Sequence, residues 1–146
     1  MILAKKVRLK PTPEQEAQLW KSAHTARWAF NWTLAKQEEN YKNGGKFIPD
    51  GELRKQLTQM KSQEEYAWLY EVSNKVTQQA IKDACEAYKR FFKKLADKPK
   101  FKSKKRAKPA FYNANDRLKV KNHLVLIEKV GWVKTSEQLP MDTKYT

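Results

Sequence analysis

Cysteine occurs once, at Cys85, which excludes a disulfide framework and a thiolate zinc site within the chain. Histidine is nearly as scarce. His24 and His123 lie about a hundred positions apart, and no Ser/His/Asp set, glycine-rich phosphate loop or metal-spaced ligand cluster accompanies them. His24 reads as a partly buried helix residue and His123 as a turn residue. Acidic residues number 16 against 31 lysines and arginines. Their adjacent pairs, Glu38-Glu39 and Glu64-Glu65, project roughly 100° apart on a helix, so neither pair chelates a metal unaided. Two-metal nuclease chemistry needs several carboxylates aimed from a rigid frame at ions ~4 Å apart. No such set is visible, so no catalytic residue, metal ligand or cofactor site is assigned. Long apolar runs are also missing. Met1 to Lys6 is too short and has the wrong charge order for a signal peptide, and no window approaches a membrane span. A reducing cytoplasm fits this composition.

What the chain has in excess is positive charge. Its 146 residues carry a formal +15 with an isoelectric point near 9.9, and the mean hydropathy of −0.91 reflects lysine rather than missing hydrophobes. The charge is concentrated. Lys89 to Lys121 holds 14 lysines and arginines against Asp97 and Asp116, a net +12. A charge of this density binds polyanions in a salt-sensitive way, because each neutralised phosphate releases counterions. Phe101, Phe111 and Tyr112 are interleaved with it and offer faces for stacking, whereas a solvating linker would carry Ser, Gly and Glu. Nucleic acid is therefore the expected partner, not a membrane surface.

Read in order, Val7 and Leu9 alternate with Lys6, Arg8 and Lys10, a half-buried strand that takes in Ile2 and Leu3 and ends at Pro11. Thr12-Pro13-Glu14-Gln15 starts a helix, with a capping box between Thr12 and Gln15. Leu19, Ala23, Ala26, Phe30 and Leu34 then recur at helical spacing up to Tyr41. One helix or two joined near Ser22–Thr25 satisfies the pattern, and two are favoured. Trp28 and Trp32 share a face and read as core. Asn43-Gly44-Gly45 closes this region. Asp50 is expected to cap a helix with a Leu53, Leu57, Met60 stripe, and Glu64–Leu69 to form a short turn whose Trp68 and Leu69 plug the core. Ser73 caps the clearest helix, whose buried face runs through Val76, Ala80, Ala84, Tyr88, Phe91 and Leu95 with Phe92 at its edge. Asn74 and Gln78 near its start could read base edges, since amides match the donor and acceptor of adenine.

After the basic stretch the period shortens. Arg117–Lys121, Leu124–Ile127 and Lys129–Lys134 read as a meander, and the first strand has no partner nearer than these. The expected fold is α+β: a small β-barrel or curled sheet interrupted by an inserted helical bundle of helix-turn-helix character. Its divisions are residues 1–11 for the first strand, 12–96 for the helices, and 97–146 for the basic segment and remaining strands. The last residues, Pro140 to Thr146, supply no further strand, so the barrel is expected to be incomplete.

The run Lys6-Val-Arg-Leu-Lys-Pro-Thr-Pro-Glu-Gln15, then Ala26-Arg-Trp-Ala-Phe-Asn-Trp32, Leu69-Tyr-Glu-Val-Ser73, Ala87-Tyr-Lys-Arg-Phe-Phe92, Pro99-Lys-Phe-Lys-Ser-Lys-Lys-Arg106 and Val130-Gly-Trp-Val-Lys134 resembles the amino-terminal part of the TnpB (OrfB) family of insertion-sequence proteins. That family consists of transposon-encoded, RNA-guided DNA endonucleases. The resemblance implies a wedge-like barrel holding a helical recognition domain, a guide RNA and duplex DNA as partners, and a bacterial, nucleoid-associated location. It also implies that Mg²⁺ and Zn²⁺ belong to RuvC-like and zinc-finger domains absent from this chain, which on its own is then not an enzyme. A separate polypeptide carrying the nuclease half is a further partner compatible with this. By position, Arg54, Asn74, Gln78 and Asn113 are the implied readers of a short transposon-adjacent motif. Lys89, Lys93, Lys102, Lys104, Lys105, Arg106 and Lys108 are assigned to the nucleic-acid backbone, which fixes position without reading sequence. A helix-turn-helix DNA-binding protein that needs no RNA is the alternative.

Overall fold

The computed structural model describes residues 4–114 and 117–139. Ile2 and Leu3 of the expected first strand, Asp116 of the basic stretch and the closing segment 140–146 lie outside them. Two units are distinguished. One comprises residues 1–21 and 113–146, the other residues 22–112.

The first unit is built on an antiparallel sheet of four short strands: β1 (Leu9–Lys10), β2 (Lys119–Lys121), β3 (Leu124–Ile127) and β4 (Gly131–Thr135). Their order is β1-β4-β3-β2. The amino-terminal strand does pair with the carboxyl-terminal meander, Leu9 against Thr135 and Lys10 against Lys134. The expected barrel, however, is not formed: β1 and β2 are opposite edges of an open sheet. The physical reason is length. Strands of two to five residues accumulate too little twist and stagger to bring those edges together. Val125, Ile127, Val133 and Leu139 form the buried side of this unit.

The chain leaves β1 through the expected capping box. Thr12 accepts from the Gln15 backbone N–H at 3.2 Å while Gln15 Oε1 accepts from the Thr12 N–H at 3.0 Å. Gln15 Nε2 also donates to the Trp132 carbonyl at 2.7 Å, which ties the helix start to β4. Helix α1 then runs unbroken over Pro13–Lys42, where the sequence pattern favours two helices. Ser22 and Thr25 are weak helix formers, but both are buried and no glycine or proline interrupts them. Tertiary burial outweighs propensity there.

The second unit packs α1 against α2 (Asp50–Lys61), a 3₁₀ helix (Glu64–Glu71) and α3 (Asn74–Phe92). Helix α3 is central. Ala80, Ala84 and Tyr88 meet Ala29, Phe30 and Leu34 of α1, while Ile81 and Cys85 meet Leu53, Leu57 and Leu69. Trp28 and Trp32 stack at 6.1 Å and pack on the second cluster, as their spacing predicts. Three local expectations need correction. Pro49, not Asp50, is the N-cap of α2, so Asp50 sits in the first turn, where its charge suits the helix dipole. Only Leu69 of the 3₁₀ helix is fully buried; Trp68 lies half-exposed, edge-on to Trp28 at 5.2 Å. Helix α3 stops at Phe92, leaving Leu95 73% exposed, because Lys94 turns into the left-handed region.

Candidate nucleic-acid interface

Helices α2 and α3 each present one polar stripe to the same recess. Arg54, Thr58 and Lys61 recur at i, i+4 and i+7 on α2, and Asn74, Thr77 and Gln78 fall within one turn of each other on α3. With Leu57 and Tyr70 these residues line a cavity of about 140 Å³. Leu57 and Thr77 are buried beneath it, Gln78 is half-buried, and Asn74 is exposed.

Local chemistry fixes each side chain. Arg54 is paired with Asp50 one turn earlier, at 3.5 Å, and its carbonyl accepts from Thr58 Oγ1 at 3.0 Å. Lys61 is buried, an unusual state for a lysine, with its ammonium 5.5 Å from the centre of the Tyr70 ring. Ser73 caps α3 by accepting from the Lys75 N–H at 3.2 Å, and the first turn carries no acidic residue. The positive end of the α3 dipole therefore adds to Arg54 and Lys61. The recess offers amide donors and acceptors in a cationic setting.

Arg54 of α2 and the pair Asn74 and Gln78 of α3 come from separate stretches of sequence, and the fold brings them together. Asn113 belongs to the sheet unit. There its Oδ1 accepts from the Glu128 N–H at 3.0 Å and its Nδ2 donates to the Ala114 carbonyl at 3.2 Å, so its amide serves the backbone. Thr58, Lys61 and Tyr70 were missed by sequence reasoning. The i, i+4, i+7 spacing from Arg54 is the signal that could have found the first two.

The basic segment follows α3 without regular secondary structure and is clasped to α1 at Lys102. Asn31 of α1 donates from Nδ2 to the Lys102 carbonyl at 2.9 Å and accepts from its N–H at 2.8 Å. The Lys102 ammonium lies 4.1 Å from the centre of the buried Phe30 ring. Ser103 then closes a turn, accepting from the Arg106 N–H at its hydroxyl and the Ala107 N–H at its carbonyl. Lys104, Lys105, Arg106 and Lys108 are all exposed. Among the stacking candidates Phe101 and Tyr112 are exposed and Phe111 is half-buried. Lys89 is shared between Glu86, at 3.7 Å, and the Phe47 ring, at 5.8 Å, and Lys93 is the C-cap of α3. Asn31 is a further missed residue. An asparagine inside a long helix is a poor helix former and signals a side-chain task.

Two features stand apart from catalysis. The Cys85 thiol is buried, and desolvation pushes its pKa up to about 11, so it stays protonated and unreactive at neutral pH. Among the described residues no three His, Cys, Asp or Glu side chains are grouped as metal ligands, and no helix is long and apolar enough to cross a membrane.

A cationic recess lined with amides and a lysine-rich segment studded with aromatics are features suited to a nucleic-acid-binding type of protein. Residues 1–46 match a family model described as a helix-turn-helix domain, that of the IS605-type OrfB proteins. The chain is 34% identical over 88% of its length to the "Putative RNA-guided DNA endonuclease InsQ" of Escherichia coli (strain K12). It is 31% identical over 70% of its length to a "Putative RNA-guided DNA endonuclease" of Streptomyces pristinaespiralis. The chain is thus a relative of the TnpB/OrfB proteins of insertion sequences. It spans 32% and 26% of those two relatives. The matched residues 1–46 contain β1 and one uninterrupted helix, so the next helix, α2, begins only beyond them.

Proposed function

We propose that this chain is the nucleic-acid-binding part of a TnpB-like system, holding a guide RNA and reading a short motif on duplex DNA through the α2–α3 recess. One observation carries the reading: Arg54 on α2 and Asn74 and Gln78 on α3, implied as readers by two separate stretches, line one cationic recess. Gln78 and Asn74 present amides one helical turn apart, suited to paired hydrogen bonds with adenine, and Arg54 is suited to guanine. Lys102, Lys104, Lys105, Arg106 and Lys108, with Lys89 and Lys93, contact backbone phosphates, and Phe101 and Tyr112 stack on bases. Asn113 joins the readers only by giving up its bond from Glu128. Strand cleavage, which the relatives' names describe, falls in this reading to portions of those proteins that this chain does not match.

The test has two parts. Selection from a randomised duplex library should yield a short preferred motif, and Gln78→Ala should shrink the preference at one position by about 1–3 kcal/mol while leaving non-specific affinity unchanged. An intact preference removes Gln78 from the readers. The helix-turn-helix match favours the second reading, a DNA-binding protein independent of RNA. Purification in low salt separates the two: a discrete copurified RNA supports guide binding, and a clean protein supports the alternative.

A further inference from the structure

The helical unit contains a second, larger cavity, of about 450 Å³, at the carboxyl ends of α1 and α3. This volume falls within the roughly 300–1,000 Å³ usual for small-ligand sites. Its walls are aromatic. Phe47 meets Phe92 edge-on at 6.1 Å, and Tyr88 lies against Phe92 at 5.9 Å. Tyr88 is buried, but Phe92 is 50% and Tyr41 73% exposed, so two large rings keep faces toward water at the mouth. The charged lining residues are Lys94 and Lys98, with Glu38 paired to Lys98. The neighbouring Lys42, Lys46 and Lys93 are exposed.

The backbone adds an independent sign. Both helices end in the same motif. In α1 the Gly44 N–H donates to the Tyr41 carbonyl and the Gly45 N–H to the Asn40 carbonyl, with Gly44 at φ +77°. In α3 the Lys94 N–H donates to the Phe91 carbonyl and the Leu95 N–H to the Arg90 carbonyl, with Lys94 at φ +60°. Glycine takes this conformation freely and lysine does not. A strained lysine that glycine would relieve, standing at the mouth of an aromatic cavity, is where local strain accompanies a function of the side chain.

We propose that this cavity receives an unstacked nucleobase of a single-stranded nucleic acid, stacked against Tyr41 and Phe92, with Lys94 and Lys98 meeting the adjoining phosphates. Flat aromatic faces rimmed by lysines suit single strands, because every base has a face to stack and the backbone supplies the anions. An apolar peptide would meet the same rings but would gain nothing from the lysines. Glu38, which takes the Lys98 ammonium at 3.4 Å, offers an acceptor to a base amino group. This site goes beyond the duplex reading at the α2–α3 recess and does not rest on it.

The experiment uses the full chain with short labelled single strands, RNA and DNA, each with and without a run of abasic positions. Ultraviolet crosslinking followed by mass spectrometry should place bases on peptides containing Tyr41 or Phe92. Whichever sugar crosslinks supports the site and identifies its source. Tyr41→Ala, at an exposed position that tolerates truncation, should lower single-strand affinity about tenfold and erase the difference between base-bearing and abasic strands. Phe92→Ala should do the same. Lys94→Gly should move two readouts in opposite directions, raising the thermal midpoint by about 2–4 °C while weakening single-strand binding. Unchanged affinity in Tyr41→Ala, or equal binding of abasic strands by the unmodified chain, overturns the proposal. The duplex preference tested through Gln78 is read separately, so failure of one leaves the other intact.

Discussion

Two amides on α1 do the same work in different surroundings. Gln37 is buried and clasps Ile48, donating to its carbonyl at 2.7 Å and accepting from its N–H at 3.0 Å. Asn31 clasps Lys102 in the same way but in reach of water. Removing a buried partner leaves polar groups without water to replace it, so Gln37→Leu should cost about 2–3 kcal/mol in urea unfolding and Asn31→Ala only about 1 kcal/mol. Asn31→Ala should instead speed tryptic cleavage within residues 98–108, since the segment loses its backbone clasp. Cys85 makes a pH prediction. Its thiol is raised from an ordinary value of 9.0 to about 11, largely by desolvation, so the folded state holds the proton more tightly than the unfolded state. Its contribution is complete below pH 9 and is lost as pH climbs toward 11. Unfolding midpoints of the unmodified chain should therefore fall more steeply over that window than those of Cys85→Val. Subtracting the two curves removes the titration of the lysines and tyrosines they share.

Element by element, legibility followed how local the determinant was. The Thr12/Gln15 box, the Ser73 cap and the stripe of α3 are set by residues within a few positions of each other, and the sequence predicts them. The continuity of α1 was not legible, because Ser22 and Thr25 are indifferent helix formers whose burial depends on distant partners. The Asn31 and Gln37 clasps join residues 71 and 11 positions apart, and nothing in local periodicity marks their acceptors. Nor was the end of α3, since Lys94 occupies the position where the rule expects glycine. The contrast with α1 gives a stability test. Gly44 sits at φ +77° with open space where a Cβ would stand, so Gly44→Ala meets only backbone strain. It should lower stability by about 1 kcal/mol, measured by urea unfolding.

For the molecule as a whole, the faces of the helices were more legible in the sequence than the way the strands close. Arg54, Asn74 and Gln78 were brought together because each sits on a well-patterned helix, whereas sheet closure depends on pairing between edges that no strand's own pattern encodes. Charge is the property read most directly. The chain carries a net +15, and the basic segment displays its cations to solvent. Replacing Lys102, Lys104, Lys105 and Arg106 with Ala should weaken binding to all sequences alike and reduce the slope of log affinity against log salt by about three. Its four members are all exposed but not equivalent, because the Lys102 ammonium rests on the Phe30 ring. The triple variant that keeps Lys102 should therefore reproduce most of the loss in slope with an unchanged unfolding midpoint. Adding Lys102→Ala should cost a few tenths of a kcal/mol in stability and little further slope. A salt dependence that stays unchanged in the quadruple variant would assign phosphate binding to cations elsewhere on the chain.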